Sequence, residues 1–440
     1  MTIDTLPVPL RPLIQDKYLD RSFADGLQSK LSFRAIADRE PVAIGIGETI
    51  TKTRAGLLAP TTTPLDPATN VVLGNGLAPQ TWTVEQYTLT LNAYGATMDL
   101  NMETSRVGIG DLFLENGKKL GLQALQSLDR LARNALYTAY LGGNSFVTVP
   151  SGAASATIRV DSVAGFESVL VNGVMVPVSS ANPMTVTVGA GVYSLTGTTR
   201  DATNASSLAA FGGASGTLTF SSGVAVSDGA AGNPVVAAVA PAILRPNGRA
   251  GTPQLVDGDR LTVHLILTAV ARLRDSNVPD IDGWYNCYLD NTTLLELFQD
   301  PDFKLLYSEA SGSATCIDGQ VPYLLGVRFI TTTEAPQQTL ALTGTRIHRA
   351  IVCGRGALIE GDYQGLGLSD LDPRPGAFKH WVDGVCLLVR RPLDRFQEII
   401  AQSWKWRGGF CVPTDGTADP MVIPTAGNSY WKRAVVIECL

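Results

Sequence analysis

Apolar and polar positions alternate from Val84 onward. Tyr87, Leu89, Leu91 and Ala93 fall on one side, Thr88, Thr90 and Asn92 on the other, which predicts a half-buried strand. The spacing then changes to three and four. Over residues 112–141, LFLENGKKLGLQALQSLDRLARNALYTAYL, a stripe of Leu125, Leu128, Ala132, Ala135 and Ala139 predicts a long helix, with Asp111 as its N-cap and Gly142-Gly143 as its stop. At 1.5 Å per residue such a helix is about 45 Å long, more than a small domain needs. A weaker stripe of Tyr18, Phe23, Leu27 and Leu31 predicts an amphipathic helix or arm. Helical spacing returns over 259–275, DRLTVHLILTAVARLRD. Strand candidates follow in WYNCYL, YLLGVRFITTT, RAIVCGRGALI, VCLLVRR and WKRAVVIECL.

Two stretches keep neither period. From Glu40 to about Thr81 the chain is rich in Thr, Pro and Gly, a loop far beyond the roughly 12–15 residues common in compact domains. Such a loop is functional, extended or disordered. Between about Thr148 and Ala250 the composition shifts to Ala, Gly, Ser, Thr and Val. The charges there are Arg159, Asp161, Glu167, Arg200, Asp201, Asp228, Arg245 and Arg249. Short alternating runs such as SATIRVDSV and MTVTVGAGVYSL, separated by turn residues, predict a small antiparallel sandwich or barrel, inserted as a domain.

The chain has 440 residues, room for two or three domains, and its 44 Gly and 25 Pro with 17% charged residues suit short strands and turns. A net charge of −6 excludes gripping a phosphate backbone as the main task, since that needs a basic face. Weak local contact with DNA stays open. The six cysteines, all from Cys287 onward, show no metal-ligand spacing and read as small core residues in a reducing compartment. The opening MTIDTLPVPLRPLIQDKYLD lacks the pattern of a secretory signal, and no run is long enough to span a membrane.

Candidate chemistry is sparse. Of the three histidines, His264 sits among Val263, Leu265 and Ile266 and is expected to be packed. No G-x-S-x-G or H-E-x-x-H occurs, and GIGETI (45–50) and LENGKKLG (114–121) complete no phosphate loop. The acid-rich VPDIDGWYNCYLDNTTLLELFQDPDF (278–303) suggests a metal or sugar site around Asp280, Asp282 and Asp290, but Pro and Gly beside the acids favour turns and caps. In SWKWRGGF (403–410), Trp404 and Trp406 share one face of a strand and Lys405 and Arg407 the other, which favours core packing over base stacking. No catalytic, cofactor-binding or metal residue is assigned, and no cofactor is expected.

Several stretches, taken in order, resemble one family: SFRAIADREPV, YGATMDLNMETSRVG, LDRLARNALYTAYLGG, VARLRDSNVPDIDGWYNCYLD and LLGVRFITTTEAP. They are similar to the major capsid proteins of tailed bacteriophages, in the branch related to the capsid protein of phage N-four. The resemblance covers roughly 1–147 and 251–440. It departs where relatives carry His-Pro and this chain has Leu289-Asp290, and the segment 148–250 is outside the shared core. The resemblance implies an α+β, Hong Kong 97-like fold: N-terminal arm 1–38, extended loop 39–82, peripheral-domain strand and spine helix 83–147, an inserted β-sandwich-like domain 148–250, and axial and peripheral domains sharing 251–440. It implies a structural protein and no enzyme, self-assembling into hexamers and pentamers of an icosahedral shell around double-stranded DNA. The implied partners are copies of itself, a portal, scaffolding or decoration proteins, and packaged DNA touched weakly on the inner surface, with no membrane. The implied location is the virion, after assembly in the host bacterial cytoplasm. Two alternatives stand beside it: an encapsulin-type compartment subunit, and a β-rich glycan hydrolase with a carbohydrate-binding insert, which needs paired carboxylates about 5–9.5 Å apart.

Overall fold

Helix and strand signals alternate without long blocks of either, and the result is a mixed α+β protein. The computed structural model describes residues 10, 18–27, 33–42, 49–62, 64, 82, 84–102, 109–309, 323–324, 326–340, 342–363, 377–390, 392, 395–396, 398–416, 419, 421–424 and 427–440. In chain order the elements begin with α1 (Tyr18–Leu27), β1 (Ala37–Val42), β2 (Thr49–Ala55), β3 (Val84–Thr90), β4 (Asn92–Asn101) and α2 (Ile109–Tyr140). Then come β5 (Asn144–Val149), β6 (Ser155–Val160), β7 (Ser168–Val171), β8 (Val174–Pro177), β9 (Met184–Val188), β10 (Gly191–Arg200), β11 (Gly216–Val224), β12 (Pro234–Ala237) and β13 (Ile243–Leu244). The rest are α3 (Val263–Asp275), β14 (Tyr285–Leu289), α4 (Asn291–Leu297), α5 (Pro301–Glu309), β15 (Tyr323–Leu324), β16 (Val327–Thr331), β17 (Gln337–Thr339), β18 (Arg346–Cys353), β19 (Leu358–Tyr363), β20 (Ala377–Val382), β21 (Val385–Arg390), β22 (Ile399–Cys411) and β23 (Ala434–Cys439).

The chain divides into two compact units. The first takes residues 1–50, 88–133 and 358–411; the second takes 51–87, 134–357 and 412–440. The first unit is built on a sheet of order β1-β19-β22-β21-β20. Strand β22 is long enough to take β4 along Ile399–Gly408 and β19 along Gly408–Cys411. Its alternation is strict: Ile400, Gln402, Trp404 and Trp406 are buried, and Arg407 faces solvent. The two tryptophans therefore pack, as expected, against Phe113, Leu120, Ala124 and Leu128 of α2 and Leu19 and Phe23 of α1. The glycines that follow have their own reason. A Cβ on Gly409 would lie 2.0 Å from the Thr90 carbonyl oxygen, and one on its partner Gly361 would lie 2.4 Å from Leu89, so β3 presses directly on this patch.

The second unit contains a seven-stranded sheet, β13-β23-β18-β14-β16-β15 with β17 on β18, and a closed six-stranded barrel, β10-β11-β6-β5-β12-β9. Helix α3 buries Ile266, Ala269, Val270 and Leu273 in the core that includes Cys287, Val352 and Ile437 from the sheet. Thr262 caps it by accepting from the Leu265 N–H at 3.4 Å. The barrel closes on its own core of Val147, Ile158, Val186, Leu195, Leu218 and Val235. Closure removes the sheet edges, which a chain this poor in charge has few other means to protect.

Several expectations are corrected. The alternation from Val84 does not run through Ala93: Leu91 separates two strands, the phase reverses, and Ala93 is exposed while Tyr94, Ala96 and Met98 turn inward. Helix α2 starts at Ile109, so Asp111 stands in its first turn, where an acid still favours the helix dipole. Its buried stripe drifts from Leu125 and Leu128 to Leu136, Tyr137 and Tyr140, because 3.6 residues per turn does not keep a fixed three-four pattern for 32 residues. In α1 Leu19 and Phe23 are buried and Tyr18 is 51% exposed. RAIVCGRGALI is two strands, β18 and β19, which join different sheets after the turn at Gly356. The segment predicted as a small sandwich or barrel is a closed barrel, and its first strand begins at Asn144 rather than about 148. The span read as a structureless loop holds part of β1 and all of β2, which pairs with β3; residues 65–81 lie outside the described residues.

Candidate functional site

The acids of 278–303 build turns and helix caps. Asp280 accepts from the Gly283 N–H at 3.3 Å, and Asp282 adopts φ 53 just before Gly283 at φ 87, so both build a turn. Asp300 accepts from the N–H of Val263 at 2.8 Å and of Asp302 at 3.0 Å. Asp290 caps α4, accepting from the Thr293 N–H at 3.3 Å and from the Thr293 hydroxyl. Tyr285 and Tyr288 are buried and Trp284 is half-buried.

Asp290 does more than cap. His348 Nδ1 lies 2.6 Å from its Oδ2, and Gln337 Nε2 donates to the same oxygen at 2.9 Å. Burial opposes ionisation, but the bonds from His348 and Thr293, the His348 charge and the Gln337 bond outweigh it and hold the carboxyl at about 2. A carboxyl that far below neutrality is a poor proton donor at pH 7. Both side chains are under a tenth exposed, so the pair works as a buried clamp between β18 and α4. His264, expected to be packed, points to solvent from α3 and leaves the core to Val263, Leu265 and Ile266. The buried histidine is His348.

Other ionisable groups are also buried in pairs. In the first unit Arg34 binds Glu360 at 2.6 Å and Asp383 at 3.1 Å, and Asp129, fully buried on α2, accepts the backbone N–H groups of Phe33 and Arg34. In the second, Glu438 stands between Arg349 at 2.9 Å and Arg245 at 2.7 Å. Burial resists its charge, yet the two guanidinium groups and the hydrogen bonds from Arg245 and Thr252 bring its carboxyl down to about 2. From Arg349 the network runs through Gln338 to Ser207 and, at 3.5 Å, to Asp161, so the barrel is bonded to the sheet beneath it. Burial pushes the thiols of Cys287 up to about 12 and of Cys386 up to about 11, the wrong direction for nucleophiles. Among the described residues no group of three or more His, Cys, Asp or Glu is placed to hold a metal ion, and no helix is long and apolar enough to cross a membrane.

What these residues do chemically is hold backbone in place. One exposed apolar surface lies where β2 and β3 run into the segment that connects them. Leu57, Leu58 and Trp82 are 58%, 53% and 52% exposed, and Val84 beside them is 41% exposed. The strand ends next to these residues are firmly held: Arg54 Nη1 binds Asp415 at 2.9 Å, Arg433 Nε binds the same carboxylate at 2.6 Å, and buried Glu85 accepts from the Gly416 N–H at 2.7 Å. Exposed apolar side chains beside anchored strand ends have the form of a contact surface.

Sequence reasoning missed the buried charges Asp129, Glu360, His348, Arg349 and Glu438. One signal was available: a charge inside an otherwise apolar strand, as Glu438 in AVVIEC and Arg349 in RIHRAIVC, needs a buried partner.

No family model and no curated protein matches the chain. Solved structures do. The chain is similar to the capsid of Ralstonia phage GP4, at 12% identity over 93% of this chain and 88% of that chain, with a TM-score of 0.49. It is similar to the capsid of the cyanophage P-SCSP1u, at 10% identity over 93% and 88%, with a TM-score of 0.48. It is also similar to the head of Helicobacter pylori bacteriophage KHP40, at 9% identity over 93% and 92%, with a TM-score of 0.45.

Proposed function

We propose that this chain is the major capsid protein of a tailed bacteriophage, with a Hong Kong 97-like fold, and that it acts by geometry rather than catalysis. The observation that carries the reading is the connection side of the β2–β3 pair, where strand ends held by an ion pair carry exposed apolar side chains. Exposed Leu57, Leu58 and Trp82 gain by burial against a neighbour, at about 1.5–3 kcal/mol for each large side chain fully covered. The sequence resemblance supplies the neighbour: another copy of the same chain. On this reading residues 1–38 are the arm, the hairpin is the core of the extended loop, α2 is the spine helix, and the barrel is an insertion in the shared fold. Copies form hexamers and pentamers of an icosahedral shell that encloses double-stranded DNA and completes itself with a portal and scaffolding or decoration proteins. A net charge of −6 fits weak contact with the packaged DNA. The site of action is the virion, with assembly in the bacterial cytoplasm.

Light scattering after size-exclusion chromatography, followed by electron microscopy, tests the reading. Closed particles or capsomers are expected, and a Leu57→Ser, Leu58→Ser, Trp82→Ser triple variant is expected to stay folded and unassembled. A folded wild-type chain that stays a 46.6 kDa monomer at high concentration overturns it. Particles that enclose a protein cargo and never DNA point instead to a cellular compartment.

A further inference from the structure

The ribbon β7–β8 takes no part in closing the barrel; it is a separate two-stranded sheet. Its turn, Asn172-Gly173, has φ 51 and φ 80, the pair of left-handed residues that a tight two-residue hairpin turn requires. That turn does not end in solvent. The Gly173 carbonyl accepts from the Gln86 N–H on β3 at 2.7 Å. A Cβ on Gly173 would lie 2.1 Å from the Val84 carbonyl oxygen, so the turn and β3 are in backbone contact with no room for a side chain.

The rest of the ribbon is held to the same place. The Tyr430 hydroxyl accepts from the Leu170 N–H at 3.1 Å, and the Tyr430 carbonyl accepts from the Asp415 N–H at 2.7 Å. Asp415 is the carboxylate that binds Arg54 of β2. A Cβ on Gly416 would meet Glu85 Oε1 at 2.6 Å and Leu170 Cδ2 at 2.9 Å, so Glu85, Gly416 and the ribbon also pack without a gap. Each strand of the hairpin therefore has its own tie: β3 to the ribbon turn, and β2 through Asp415 and Tyr430 to the ribbon's first strand.

We infer that the ribbon of the barrel domain is a brace that holds the connection-side end of the β2–β3 hairpin in place, coupling whatever the barrel contacts to whatever the hairpin contacts. The brace stands on intrachain geometry. Its consequence, that an event at the barrel changes the fit between neighbouring copies, rests on the capsid reading above.

Hydrogen exchange on the full chain in unassembled form tests the brace apart from any shell. In Gly173→Ala, peptides covering 51–58 and 82–87 should exchange at least about tenfold faster, while barrel peptides covering 184–200 and 216–224 keep their wild-type rates. Tyr430→Phe, which removes one hydroxyl and keeps the ring, should give the same pattern more weakly, and serves if the glycine variant fails to fold. Hairpin peptides that keep their rates in both variants, or that rise only in step with the barrel strands, overturn the inference. Whether the wild-type chain assembles is scored separately, so the brace and the capsid reading fail independently.

Discussion

The backbone N–H of Phe33 donates to Asp129 Oδ1 at 2.7 Å across 96 residues of chain, and the Arg34 N–H reaches the same oxygen at 3.0 Å. One buried carboxylate thus receives two amides at the point where the chain turns into β1. Asp129→Ala would leave both N–H groups buried without that acceptor, and each such loss costs about 1–3 kcal/mol. A loss of about 2–4 kcal/mol is expected in urea unfolding, with Asp129→Asn losing roughly half of it. An alanine variant within about 0.5 kcal/mol of wild type would show that water replaces the carboxylate there.

Glu438 between Arg349 and Arg245 makes a second case. Glu438→Gln leaves two guanidinium groups facing each other in the core, and breaking a buried pair costs about 3–5 kcal/mol. Replacing Arg349 by Met and Glu438 by Leu together should cost less than the sum of the single changes, because each removes the other's stranded charge. Additive costs in that double-mutant cycle would mean the charges do not act as a unit.

Acid should weaken the fold through Asp290 and Glu438. In the unfolded chain such groups protonate near pH 4, and in the folded protein only near pH 2. The unfolded state therefore binds more protons as the pH falls through this window. Their stabilisation is complete above about pH 5 and is lost between about pH 4 and pH 2. Thermal melts followed by circular dichroism from pH 6 to pH 3 should show a falling midpoint, with a shallower fall in Asp290→Asn. An identical acid profile in that variant would remove Asp290 from the account.

Gly409→Ala places a methyl group 2.0 Å from the Thr90 carbonyl oxygen, where only backbone can move away. Overpacking of this kind costs about 1–3 kcal/mol. Urea midpoints give the value, and Gly427→Ala, with nothing within 4 Å of its Cβ, is the control expected to change little. Equal effects at the two glycines would show that β3 does not press on β22.

Local patterns made much of this fold legible. The periodicity of 112–141 located α2 to within three residues, and the alternation of SWKWRGGF placed Trp404 and Trp406 inward. The turn chemistry around Asp280 and Asp282 was visible from the flanking Pro and Gly. What escaped was set by partners remote in sequence. His264 and His348 both sit in apolar runs, and only the packing of α3 and β18 decides that the first faces water and the second meets Asp290. The break at Leu91 is invisible in the alternation because Leu91 itself stays buried while the phase changes after it. Strand β2 was hidden by its composition: Thr, Gly and Pro around it read as loop, and it exists through pairing with β3 across a long gap.

Strand β1 pairs in parallel with β19, Ala37 beside Leu358, so the two are separated by 358 − 37 = 321 residues. On a ribosome adding about 5–20 residues per second, β1 waits roughly 15–65 s for its partner to emerge. The barrel, contiguous from Asn144 to Ala237, closes during that interval, while the first unit, drawn from three distant runs of the chain, still lacks most of its sheet. During synthesis the early strands are thus an open template for the wrong partner, including the same strand of the next chain on the same message. Chaperones that shield β1 should therefore raise the yield of folded chain, and slowing translation without them should lower it.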